Sequence, residues 1–138
     1  MKIIQKITIV MLFVATISSC ILEPVEPEYD VVGAVGTIAT LTASSTTPTV
    51  GQTVTLTATI YSEHENATAL NLNRVVAGTA TLVEARNFSS WNREDSYRET
   101  FQYTVPAGTE GTGIVLQMEL ITESGFAARR NITLNVAQ

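Results

Sequence analysis

The chain has 138 residues, 45% of them hydrophobic, and thirteen acidic residues against eight basic ones give it a formal charge of −5. That length suits one domain with a core of its own. The acidic balance argues against nucleic acid, which calls for clustered Lys and Arg, and against electrostatic adsorption to anionic lipid.

The first segment is a leader. Met1–Lys6 is short and basic, Ile7–Ile17 is apolar, and Ser18, Ser19 and Cys20 follow. Basic flank, short apolar run and small-residue cleavage site are the parts of a secretory signal. The apolar run is too short for a permanent span of a hydrocarbon layer about 30 Å thick. Ile17-Ser18-Ser19-Cys20 resembles the lipobox of bacterial lipoproteins. The resemblance implies a diacylglycerol thioether on Cys20, cleavage before it, and acylation of the new amino group, with palmitate-like chains as the anchor. Two or three chains anchor stably, at about 0.8 kcal/mol per buried CH₂. Residues 1–19 are then the signal peptide, and the membrane is a partner through lipid on Cys20. That thiol is the only one in the chain, so the fold must hold by packing without a disulfide. The mature part keeps six arginines against thirteen acids.

Residues 20–36 read as the lipidated cysteine and a tether. Ile21–Asp30 carries Pro24 and Pro27, which favour an extended chain, and Glu23, Glu26, Glu28 and Asp30, which keep it solvated. By analogy with lipoprotein sorting, Ile21 in place of an Asp after Cys20 leans toward the outer membrane rather than the inner one.

From Thr37 the pattern is β. Strands are expected at Thr37–Ala43, Gln52–Ile60, Ala69–Val76, Thr79–Ala85, Tyr97–Val105, Thr112–Thr122 and Arg130–Val136. The second is the clearest: Val54, Leu56, Ala58 and Ile60 alternate with threonines, the period-two signature of a half-buried strand. Ile114, Leu116, Met118 and Leu120 repeat it, as do Ile132, Leu134 and Val136. Tyr97, Phe101, Tyr103 and Val105 share a face of the fifth strand. Turns fall at Pro48–Gly51, Pro106–Gly111 and Ser124-Gly125. Seven short strands with regularly spaced turns point to an all-β, two-sheet antiparallel sandwich over residues 37–138, with a barrel as the alternative.

Two stretches resemble bacterial Ig-like domains. Thr40–Ile60 has their first strand, Pro-x-x-Gly-x-x-Val turn and Thr-rich second strand. Phe101–Val136 has their aromatic strand ending Thr-Val-Pro, Gly-rich turn, two last strands and terminal Leu-x-Val. The resemblance implies an Ig-like sandwich of the kind used in stalks, adhesins and polymer-binding proteins. The chain departs from antibody domains: it has no cysteine pair, and Trp91 follows the fourth strand. Fold alone does not choose a function.

Chemistry-bearing residues are sparse. His64, the only histidine, lies in Glu63-His64-Glu65, but neighbours on an extended loop point apart, and zinc needs three or four convergent ligands. A Ser-His-Asp triad through His64 lacks a Gly-x-Ser-x-Gly elbow. The glycines of Gly108–Gly113 join two strands, whereas phosphate loops lead into a helix. Glu94, Asp95 and Glu99 form no Asp-x-Asp-x-Asp-Gly calcium run. Asn66, Asn87 and Asn131 head accidental glycosylation triplets. No metal or other cofactor and no enzymatic activity is expected.

Arg86–Tyr97 is a long polar connection holding Phe88, Trp91 and Tyr97. Aromatics beside Asn and Arg can stack on a glycan or anchor a protein partner, or fold back to close the end of the sandwich. The expected function is a lipid-anchored, non-enzymatic envelope module for binding, adhesion or spacing. Alternatives are a subunit of an envelope assembly that pairs through a sheet edge, and a small envelope hydrolase.

Overall fold

The computed structural model describes residues 35–138. Cys20, Ile17, Ser18 and Ser19, expected as a lipobox, and the rest of the expected leader and tether up to residue 34 lie outside the described residues. The strands are β1 (Thr37–Ala43), β2 (Thr53–Tyr61), β3 (Ala67–Val76), β4 (Thr79–Asn87), β5 (Tyr97–Thr104), β6 (Gly113–Thr122) and β7 (Ala127–Asn135). All pairings between them are antiparallel, and no helix occurs among the described residues.

The strands form two sheets, β1-β2-β5 and β4-β3-β6-β7, packed as a sandwich. The alternation explains why. Val54, Leu56, Ala58 and Ile60 of β2 are fully buried, and Ile114, Leu116, Met118 and Leu120 of β6 are buried opposite them, with Leu70 and Leu72 of β3 and Phe101 of β5 completing the layer. The intervening threonines of β2 remain half-buried or exposed. One face per strand is thus removed from water, which drives the two sheets together.

The topology differs from the antibody constant-type arrangement, in which the fourth strand joins the sheet of the first, second and fifth. Here β4 pairs with β3 along Ala69–Val76 instead. A two-residue turn enforces that pairing. Ala77 and Gly78 both have positive φ, 48° and 81°, as a type I′ hairpin requires.

Several boundaries differ from the sequence reading: β3 starts at Ala67, not Ala69, and two other shifts are larger or alter a loop. The seventh strand starts at Ala127, not Arg130, because Gly125 at φ 83° lets the chain reverse within four residues: the Thr122 amide donates to the Phe126 carbonyl and the Gly125 amide to the Thr122 carbonyl. The β4–β5 connection is also shorter than Arg86–Tyr97, since Arg86 and Asn87 belong to β4 and Tyr97 opens β5.

The two open sides of the sandwich are closed differently. On one side the chain after β1 crosses to β7: the Asn135 amide donates to the Thr46 carbonyl and the Ala137 amide to the Pro48 carbonyl. A bulge between Ile38 and Thr40 interrupts the ladder, and Arg130 donates to the carbonyls of Ile38 and Ala39. On the other side a single arginine does the work. Arg86 of β4 pairs with Glu99 of β5 at 2.6 Å, donates to the Thr100 carbonyl, and lies 4.5 Å above the Phe101 ring.

Candidate functional site

Three connections gather at one end of the sandwich: residues 62–66, 88–96 and 123–126. The described chain also enters at this end. A Cβ on Gly36 would lie 2.6 Å from the Leu120 side chain and 3.5 Å from Ser62, so any larger residue where the chain passes into β1 would have to displace Leu120.

Phe88, Trp91 and Tyr97 come together here. Trp91 packs edge-on against Phe88, with ring centroids 5.1 Å apart, and lies over Tyr97 at 4.3 Å. All three are half-buried against the core. Their polar atoms are engaged within the protein: the Trp91 indole donates to the Ser62 carbonyl at 3.1 Å, and the Tyr97 hydroxyl accepts from the Asn92 amide at 2.9 Å. Asn92 in turn holds Asp95 and the Glu94 amide, an Asx-type turn that fixes the loop locally.

The loops are tied to one another by polar side chains. Ser124 donates to the Glu65 carboxylate at 2.6 Å, Asn66 to Glu123 at 2.9 Å, and Arg93 to Asn66 at 3.1 Å. Beside them lies a cleft of about 220 Å³ lined by Tyr61, Glu63, Arg93, Glu94, Asp95 and Ser96. A notch of about 80 Å³ borders Asn66, Phe88, Trp91 and Glu123. Both fall below the roughly 300–1,000 Å³ of pockets that enclose small molecules.

Other residues singled out in the sequence do not converge. His64 and Glu63 are exposed, while the Glu65 carboxylate is occupied by Ser124. Glu99 is drawn onto Arg86 and away from Glu94 and Asp95. Among the described residues no three His, Cys, Asp or Glu side chains are grouped to hold a metal ion. Gly108 and Gly111 have positive φ, and their loop runs directly from β5 into β6 at the opposite end.

A second surface was not legible in advance as a site. β4 is the outer strand of its sheet, and seven of its nine residues are exposed. Leu82 is 57% exposed and Val83 43%, with Val76 across the hairpin at 56%. The sequence carried one signal for the β4–β5 seam. Glu99 occupies an inward position between Tyr97 and Phe101, where a charge needs a partner, and Arg86 supplies it.

No family model matches the chain, and no curated protein matches it in sequence. In three dimensions it is similar to Spo0M, a sporulation control protein from Bacillus subtilis, with a TM-score of 0.52 and 11% sequence identity. The match covers 76% of this chain and 50% of Spo0M, so the chain spans about half that protein's length. At such identity the likeness is one of fold: this chain is a seven-stranded antiparallel β-sandwich.

Proposed function

We propose that this protein is a lipid-anchored, non-enzymatic module of the cell envelope that works by binding, and that its contact surface is the outer edge of β4. The observation that carries the contact surface is the exposure of Leu82 and Val83 on an unpaired strand edge. Unpaired strand edges are templates for another chain, and proteins ordinarily blunt them with charges, Pro, bulges or a covering segment. β4 contains neither Lys nor Pro; its protection is a bulge at Val83 and the charges of Glu84 and Arg86. The anchor rests on the basic and apolar leader and on Ile17-Ser18-Ser19-Cys20, and an outer-membrane location on Ile21.

The loop end supports a binding role less well. The flat faces of Phe88, Trp91 and Tyr97 are spent on each other and on the core, which leaves little aromatic surface for a glycan or a protein.

Two measurements test the proposal. Cys20→Ala should abolish incorporation of labelled fatty acid and leave a precursor of full mass. A wild-type mature chain with a free thiol at position 20 would overturn the anchor. A photo-cross-linking residue in place of Val83 should give adducts in living cells, whereas one in place of Arg93 should give few. The reverse pattern would move the contact to the loop end.

A further inference from the structure

The four outer strands differ in what reaches their free edges. Arg130 covers carbonyls of β1, Thr46 and Pro48 accept from the β7 side, and Arg86 covers the Thr100 carbonyl of β5. Among the described residues, no hydrogen bond reaches the outer edge of β4. The edge of β7 is reached within the strand at Asn135 and that of β5 at Thr100, whereas that of β4 is bare along its length; a second copy that pairs there through its own bare edge makes an isologous contact.

Charge selects the register. In a two-fold antiparallel pair, each residue faces the one at the mirrored distance from the axis. An axis at Glu84 sets Glu84 against Glu84, and an axis at Arg86 sets Arg86 against Arg86, both unfavourable. An axis at Val83 leaves Glu84 facing Leu82. An axis at Ala85 places Glu84 opposite Arg86 twice, once on each side. Within one chain Arg86 already lies 3.5 Å from Glu84 and 2.6 Å from Glu99, so the mate's Glu84 adds to these pairs at the exposed part of the guanidinium, Glu84 being 40% and Arg86 37% exposed. The hairpin also carries no net negative charge: it holds Arg74, Glu84 and Arg86, while the other described residues hold eight acids against four arginines, so two copies repel little when they meet here.

We infer that the β4 edge pairs with the β4 edge of a second copy of this chain, antiparallel about Ala85, joining two four-stranded sheets into one of eight strands. This rests on the edge-contact reading above and names its partner. Anchoring on one membrane favours the pairing, because it raises the effective concentration of copies. Val83 of each copy then lies beside Asn87 of the neighbouring strand, at the end of the paired segment.

The test uses the full-length chain in membranes. Ala85→Cys places a thiol directly opposite its symmetry mate, at the roughly 4.5–5.5 Å Cα separation of paired antiparallel residues, which a disulfide can bridge. Two differently tagged copies are expressed together and run without reductant. The expected result is a disulfide-linked dimer carrying both tags. The dimer should be absent with Asn131→Cys, an exposed position on β7 of the same sheet, and should fall several-fold when Glu84→Arg is added to Ala85→Cys. A benzophenone attached to the thiol of the same variant separates the failures. Adducts only with a different protein would overturn the second copy and leave the edge contact standing. No adduct of either kind would overturn both.

Discussion

β6 and β4 lie in one sheet, separated only by β3, and both mix Leu, Val and Thr or Gln with a few charges. Their environments are opposite. In β6, Ile114, Leu116, Met118 and Leu120 are buried and every second residue faces out. In β4, Thr79–Val83 are exposed without alternation, and only Glu84 and Arg86 are half-covered. Composition therefore does not decide burial here; position in the sheet does. A central strand has neighbours on both sides and the second sheet below it. The outer strand β4 has one neighbour, β3, and meets the second sheet through Arg86.

The largest expected effect breaks that comparison most directly. Leu116 and Leu82 are the same residue in the same sheet, with 0% and 57% exposure. Leu116→Ala should cost about 2–5 kcal/mol, the transfer term plus a cavity, and could remove much of a total near 5–15 kcal/mol. Leu82→Ala should change stability by less than about 0.5 kcal/mol in dilute solution. Thermal melts of the two variants decide it, and equal losses would mean that β4 is covered.

The same contrast explains what the sequence disclosed. Strands with one wet face and one dry face leave a period-two record, so β2, β5 and β6 could be read nearly to the residue, and Leu56, Leu116 and Leu134 are buried as the alternation implies. The sheet partner of β4 left no such record. It depends on the Ala77-Gly78 turn, whose backbone geometry an Ala does not announce in the way Asn-Gly would. The seam closed by Arg86 and Glu99, and the carbonyls capped by Arg130, join residues 13 and about 90 positions apart. Nothing local in the chain records those pairings. The proposed leader and Cys20 are a different kind of signal, one that processing enzymes would read as sequence and not through the fold.

A smaller effect separates the loop end from the β4 edge. Trp91 is only half-buried, but its indole is sandwiched by two rings and bonded to the Ser62 carbonyl. Trp91→Ala should cost about 2–3 kcal/mol, below the 3–5 of a fully buried aromatic, and lower the melting point by several degrees. It should leave any contact at β4 unchanged. An unaltered melting point with loss of a binding partner would show that Trp91 is a contact residue and that the edge is not the working surface.

The smallest effect concerns the turn that sends β4 to β3. Ala77 holds φ at 48°, a left-handed conformation that crowds its Cβ against the following carbonyl and costs an L-residue about 1–2 kcal/mol. Asn tolerates that region far better and is favoured at this position of a type I′ turn. It also avoids the extra unfolded-state entropy that Gly would bring. Ala77→Asn should therefore stabilise the domain by about 0.5–1 kcal/mol, seen as a rise of a few degrees in melting temperature. The position lies at the hairpin tip, eight residues along the chain from Ala85, so the disulfide-linked dimer of Ala85→Cys should form as before. A variant that melts higher but no longer dimerises would place the copy-to-copy contact at the tip of the hairpin. One that melts lower would show that the turn takes another conformation, and with it that the register of β4 on β3 is set by side-chain packing and not by Ala77 and Gly78.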